Sequence, residues 1–182
     1  MRELGEGKLE DMKVLDVGCG HEVKRNVPRG NVNLDIARPE FKINNFVLAD
    51  AHHLPFIDGC FEKVVCSDVI EHVENPSQCL REIHRVLTTN GEAIVQTPQP
   101  YLFRKIFRKL VGLNLHDDNP RLHIATWTEI EMRNLLTHCG FTILSFNYVF
   151  FPTAHKTFDK ALSRINPVLG SRGQCFFVRK QK

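Results

Sequence analysis

The chain has 182 residues, 42% hydrophobic and 25% charged, which suits one domain with a sizeable core. With 24 Lys and Arg against 21 Asp and Glu, the formal charge of +3 gives no support to general nucleic-acid binding. No apolar run reaches the roughly 18 to 20 residues of a membrane span, and the first residues, Met1 to Gly7, are too polar for a secretory signal.

The first predicted strand is 13–17, and it runs into Val14-Leu15-Asp16-Val17-Gly18-Cys19-Gly20. An apolar run that holds one acid and closes on two glycines reads as a buried strand stopping in a loop of bare backbone. Glycine there permits positive φ and lets a ligand approach main-chain N–H groups. Between Cys19 and Asn31, Pro28 and Gly30 leave room for two helical turns at most, so the first crossover helix is expected to be short. Further strands are predicted at 31–35, 46–49, 62–67, 92–97, 141–150 and 174–179. Alternation of such runs with helix-period segments is the pattern of an α/β parallel sheet.

The clearest helix spans Pro76 to Leu87, with Asn75 as N-cap and an apolar stripe of Cys79, Leu80, Ile83, Val86 and Leu87. Asn90-Gly91 then signals a turn. A second helix over about 129–139 has a capping box of Thr128 and Glu131, and Trp127 and Met132 are placed as a hydrophobic staple. Its buried stripe is Met132, Leu135, Leu136 and Cys139, and Gly140 closes it. A weaker helix is expected around 156–165. The six cysteines, Cys19, Cys60, Cys66, Cys79, Cys139 and Cys175, form no C-x-x-C pair, which argues against a zinc ribbon or a redox dithiol. A reducing, cytoplasmic setting is expected.

The chemistry sits at the strand ends. Asp35 closes the second strand nineteen positions after Asp16, where a carboxylate accepts from two ribose hydroxyls in doubly wound folds. Asp50 closes the third strand and is placed to border an adenine ring. The fourth strand ends in Ser67-Asp68-Val69-Ile70-Glu71-His72-Val73. In an open parallel sheet four such tips share one crevice. The loop Gly18-Cys19-Gly20-His21-Glu22-Val23 puts valine at the third glycine position of a dinucleotide loop and glutamate beside any phosphates. A ligand without phosphates fits better, which disfavours a nicotinamide-dependent oxidoreductase.

The ordered set of motifs resembles the class I methyltransferases dependent on S-adenosylmethionine, in particular their methyltransferase type 11 branch. The resemblance covers roughly residues 13 to 150. It is carried by Val14 to Gly20, Leu34-Asp35, Ala49-Asp50-Ala51 with Leu54-Pro55-Phe56, and Phe61 to Val65. It continues through Val69 to Val73, Leu80 to Leu87, Asn90-Gly91-Glu92, Thr97-Pro98, and Trp127-Thr128 through Gly140-Phe141. The resemblance implies an α/β fold: a Rossmann-like doubly wound, mostly parallel seven-stranded sheet with an antiparallel last strand. It implies a single domain over 1–182, with a cofactor-binding half at 13–98 and an acceptor-side half at 99–182.

The implied cofactor is S-adenosyl-L-methionine, released as S-adenosyl-L-homocysteine. The backbone of Gly18, Cys19 and Gly20 is expected to hold its methionine end, with Asp16 near the amino group. Asp35 is placed at the ribose hydroxyls, with Ile36 beside it among the cofactor-binding residues, Asp50 and Ala51 at adenine, and Ser67, Asp68 and Val69 under the methionine portion. The chain starts almost at its first strand, so the N-terminal lid helices of many relatives are expected to be missing, and a protein partner covering the site would fit that opening.

Methyl transfer needs an aligned acceptor and excluded water, and a base helps when the acceptor is a hydroxyl or a protonated amine. His72 is the candidate base. No metal is expected; the one arrangement that would hold an ion is Asp68, Glu71 and His72 at helical spacing, completed by His116 or His123. Similar Glu-x-x-Glu-His stretches bind metal in small-RNA 2′-O-methyltransferases and some quinone O-methyltransferases, but here Asp68 replaces the first glutamate. His52 and His53 are read as loop residues, since neighbours point different ways. The segment 101–111 is a cationic amphipathic helix in prospect, with Phe103 and Phe107 on its apolar face. It is expected to be a surface helix packed on the core with solvated charges, the alternatives being peripheral membrane contact, a lid over the active site or a cover for a lipid-like acceptor. The expected function is methylation of a small-molecule or lipid-like acceptor. The alternative is a catalytically silent cofactor-binding adaptor that works with a protein partner.

Overall fold

The computed structural model describes residues 12–20, 30–98, 125–149, 171 and 173–181. Outside them lie the expected short helix after Gly20, the segment 101–111, the weak helix at 156–165, and His116 and His123.

Seven strands form one sheet: β1 (Val14–Val17), β2 (Val32–Asp35), β3 (Phe46–Leu48), β4 (Phe61–Ser67), β5 (Leu87–Pro98), β6 (Phe141–Val149) and β7 (Gly173–Lys180). Their spatial order is β3-β2-β1-β4-β5-β7-β6. The first five run parallel and β7 pairs antiparallel with β5 and β6. This is the mostly parallel sheet with an antiparallel last strand that the sequence implied. The chain builds outward from β1 to β2 and β3, then returns to lay β4 on the other side of β1. The crevice of an open α/β sheet lies at such a reversal, beyond the C-terminal strand ends.

The central strands are buried on both faces, which explains their unbroken apolar runs. Leu15, Asp16, Val17, Val64 and Cys66 are fully buried, whereas β6 alternates along its length as an edge strand does. Helix α1 (Pro76–Val86) starts where predicted: the Asn75 side chain accepts from the Gln78 N–H, and Pro76 occupies the first turn. Cys79, Leu80, Ile83 and Val86 are buried along one stripe. Helix α2 (Glu129–His138) has the full capping box of Thr128 and Glu131, and ends on Cys139 and Gly140. Met132, Leu136 and Cys139 join the core and Leu135 packs at its edge.

The fifth strand differs from its prediction. It begins at Leu87 rather than residue 92, because Leu87 already pairs with Phe61. Between Leu87 and Glu92 the partner advances only from Phe61 to Lys63, so Thr88 to Gly91 swing out of register, with Asn90 at φ 65°. The turn expected at Asn90-Gly91 is therefore an excursion inside the strand.

Candidate active site

A cavity of about 550 Å³ opens at the C-terminal ends of β1 to β4. Gly18 and Gly20 line it from the loop after β1, and Leu34, Asp35 and Ile36 from the tip of β2. Ala49, Asp50, Ala51 and His52 line it beyond β3; Asp68, Val69, His72, Val73 and Glu74 complete it beyond β4. All four strand tips converge on it, as the sequence pattern required.

The glycine loop is built by backbone geometry. Gly18 sits at φ 70° and Gly20 at φ 64°. A Cβ on Gly18 would lie 2.1 Å from Val69 Cγ2, so the loop packs directly on the β4 tip; a Cβ on Gly20 would meet nothing nearer than the Gly18 carbonyl at 3.9 Å. The N–H groups of Gly18 and Cys19 donate to the Leu34 carbonyl at 2.8 and 3.0 Å. Those two amides fasten the loop to β2 rather than point at a ligand. Gly20 N–H donates to Asp35 Oδ2 at 2.7 Å, and Ala37 N–H donates to Asp35 Oδ1 at 3.0 Å. The Asp35 carboxylate is thus aimed by two amides beside the glycine loop, at the cavity edge.

Three expected cofactor residues do not line the cavity. Asp16 and Cys19 are fully buried and Ser67 is 6% exposed, beneath the loop and the β4 tip. The other eight, Gly18, Gly20, Asp35, Ile36, Asp50, Ala51, Asp68 and Val69, line it. Leu34, Ala49, Val73 and Glu74 were not foreseen, though each is a neighbour of a predicted residue. His52 lies in a loop, as expected, and also lines the cavity, a role not expected of it. Its Nδ1 lies 2.7 Å from Asp50 Oδ1, while His53 is exposed. The available signal was the spacing: a residue two after an aspartate is where an Asx turn closes.

The loop after Asp50 is laced to α1. Leu54 N–H donates to Glu82 Oε2 at 2.8 Å, and Arg85 donates to the carbonyls of Leu54 and Phe56 and to Asp58 Oδ1. The same guanidinium grips Glu82 at 2.7 Å and holds its carboxyl below the usual glutamate range. A five-donor planar fork is needed for so many fixed acceptors, and lysine has no such geometry.

The stretch after β4 is not the helix that an ion-binding face would need. Asp68 adopts φ 56°, and only a single turn follows, closed by His72 N–H to the Val69 carbonyl at 2.8 Å. A left-handed residue ends helical spacing, so Asp68, Glu71 and His72 share no helix face. Among the described residues no three metal-ligating side chains converge. His72 lines the cavity with its side chain 39% exposed, whereas Glu71 beside it is buried, its Oε1 3.9 Å from His72 Nε2.

Burial, with the Asp68 charge nearby, lifts the Glu71 carboxyl from 4.5 to about 8; its contact to the Thr97 hydroxyl, at 3.3 Å, offsets little of this. The folded protein therefore keeps a proton here that the unfolded chain releases near pH 4.5. Glu71 contributes most below that pH, and its contribution is lost as pH rises through about 8. We expect the stability difference between wild type and Glu71→Gln to change by up to about 1.4 kcal/mol per pH unit across that window, in favour of the variant as pH rises. Urea midpoints of both proteins from about pH 5 to 9 read it directly. A difference independent of pH would contradict the buried, protonated carboxyl.

Comparison with known proteins agrees with this geometry. Residues 15–95 match the family model described as a methyltransferase domain. An uncharacterized protein of Methanocaldococcus jannaschii is 38% identical over 92 residues, covering 47% of this chain and 40% of that protein. The ubiquinone/menaquinone biosynthesis C-methyltransferase of Haemophilus ducreyi is 29% identical over 163 residues, covering 80% of this chain and 58% of that protein. The chain thus spans about half the length of these two relatives. Among solved structures, a SAM-dependent methyltransferase from Archaeoglobus fulgidus superposes with a TM-score of 0.64 at 17% identity, covering 96% of this chain and 89% of that one. That likeness establishes the fold. Among the described residues no helix is long and apolar enough to cross a membrane.

Proposed function

We propose, from the premise that residues 15–95 belong to the class I S-adenosylmethionine-dependent methyltransferases, that the chain transfers a methyl group from this cofactor to a small-molecule or lipid-like acceptor. The observation that carries the reading is the charge of the cavity. Asp35, Asp50, Asp68 and Glu74 line it, and among the described residues no Lys or Arg does. Four carboxylates oppose the two phosphates of a nicotinamide dinucleotide and favour a sulfonium with a free amino group. The cavity volume also suits a ligand of this size.

On this reading Asp35 takes the ribose hydroxyls, with Ile36 on the adenosine, and Asp50 and Ala51 meet the adenine edge. Gly18, Gly20, Asp68 and Val69 bound the methionine portion. Bound here, S-adenosylmethionine supplies a methyl group already activated for in-line displacement. The chain's own work is to orient the acceptor, exclude water and take up a proton where the acceptor releases one. His72, on the cavity wall, is the base for that proton. The acceptor-side half, residues 99–182, supplies the remaining contacts, and the cationic apolar segment 101–111 suits it to a lipid-like molecule.

Calorimetric titration with S-adenosylhomocysteine, followed by a screen of acceptor pools with labelled cofactor, tests the proposal. Binding with labelled product supports it. Binding without product across the pools favours the adaptor, and no binding contradicts the cofactor reading. Once an acceptor is found, His72→Gln is expected to lower kcat by about 10² to 10⁴ while S-adenosylhomocysteine affinity stays within about twofold. An unchanged kcat would remove His72 as the base.

A further inference from the structure

We propose that His52 is a positioning residue for adenine: it fixes one oxygen of the Asp50 carboxylate and leaves the other to accept from the adenine amino group. The inference rests on the cofactor reading above and adds a specificity determinant to it.

The tautomer of His52 follows from its neighbours. Asn75 N–H lies 3.2 Å from His52 Nε2, and an amide N–H only donates. Nε2 therefore presents its lone pair, and the ring hydrogen is on Nδ1. Nδ1 in turn lies 2.7 Å from Asp50 Oδ1, so it donates there. The His52 backbone N–H donates to the same oxygen at 2.8 Å. Asp50 Oδ1 thus accepts twice from one residue, and among the described residues Oδ2 accepts no hydrogen bond. These contacts also hold Asp50 ionised, below the ordinary aspartate range.

The ring is anchored from behind. Asn75 is the N-cap of α1, and Gln78 Nε2 donates to the His52 carbonyl at 3.3 Å. His52 is 18% exposed, whereas the Asp50 side chain it holds is 46% exposed and lines the cavity. A carboxylate pinned at one oxygen presents the other in a fixed direction, so less freedom is lost when a ligand binds. Adenine offers an amino donor at its edge where hypoxanthine offers a carbonyl oxygen. An ionised Oδ2 accepts from the first and repels the second.

The test measures calorimetric affinities of the full chain for S-adenosylhomocysteine and for its deaminated analogue S-inosylhomocysteine, with thermal unfolding of every variant. Wild type is expected to prefer the adenosyl compound by on the order of 10- to 100-fold. Asparagine carries its amide nitrogen where histidine has Nδ1, so His52→Asn keeps the donor to Asp50 and should hold the ratio within about threefold. Glutamine reaches the Nε2 position instead, so His52→Gln keeps the link to Asn75, loses the donor, and should cut the ratio at least about fivefold. His52→Phe, which makes neither bond, should behave like His52→Gln. A purely structural role would weaken both ligands together and leave the ratio in place. A wild-type ratio in both His52→Gln and His52→Phe, with S-adenosylhomocysteine still bound, would overturn this proposal alone. Failure of wild type to bind either compound would overturn the cofactor reading as well.

Discussion

Replacing Gly18 by alanine is expected to destabilise the protein by about 2 to 5 kcal/mol and to weaken S-adenosylhomocysteine binding by about 100-fold or more. Two costs add. A left-handed backbone at φ 70° costs an alanine roughly 1 to 2 kcal/mol. The new methyl carbon would also lie 2.1 Å from Val69 Cγ2, and overpacking of that kind costs about 1 to 3 kcal/mol. Relief requires Val69 to move, and Val69 is itself part of the cavity wall. Stability and binding therefore fail together. Gly20→Ala is the control: the same backbone penalty at φ 64°, but open space for the methyl group, so a loss of only about 1 to 2 kcal/mol. Adding Val69→Ala to Gly18→Ala should recover part of the stability, a non-additivity that urea unfolding of wild type, Gly18→Ala, Val69→Ala and the double variant measures. Equal losses for the two glycine variants would contradict the close packing of the loop on the β4 tip.

Asp35→Ala should have the second largest effect, a fall of about 100-fold in affinity for S-adenosylhomocysteine. Hydrogen bonds to a charged group are worth about 1.5 to 3 kcal/mol each, and the ribose offers two donors to this one carboxylate. The residue also accepts from Gly20 and Ala37, so its loss releases the Gly20 end of the glycine loop, while Gly18 and Cys19 stay bonded to the Leu34 carbonyl. Because Asp35 lies at the cavity edge, folding stability should fall by only about 1 to 2 kcal/mol. Asp35→Asn keeps the shape and part of the acceptor capacity and should fall between. Wild-type affinity in Asp35→Ala would place the ribose elsewhere.

The crevice was legible in the sequence because parallel central strands leave a strong signature. Leu15 and Val17 or Val64 to Cys66 are buried on both faces, so each strand is a continuous apolar run, and its end is marked by the glycine or acid that follows. Helices α1 and α2 were legible from their caps, since Asn75 and the Thr128–Glu131 box act within a few residues of sequence. What the sequence left open was whatever depended on distant partners or on one backbone angle. Asp68, Glu71 and His72 have helical spacing, and a single positive φ at Asp68 cancels it. The amides of Gly18 and Cys19 looked free for a ligand, yet the Leu34 carbonyl, fifteen and more residues away, takes them both. His52 is joined to Asn75 across 23 residues, which no local pattern announces.

A crystal structure of the protein grown with S-adenosylhomocysteine tests the central claim most directly. The ribose hydroxyls should lie on Asp35, the adenine edge against Asp50 and Ala51, and the sulfur near Asp68, Val69 and His72. Density for the ligand anywhere other than the groove beside Gly18 and Gly20, or seated there with its ribose turned from Asp35, would contradict the account.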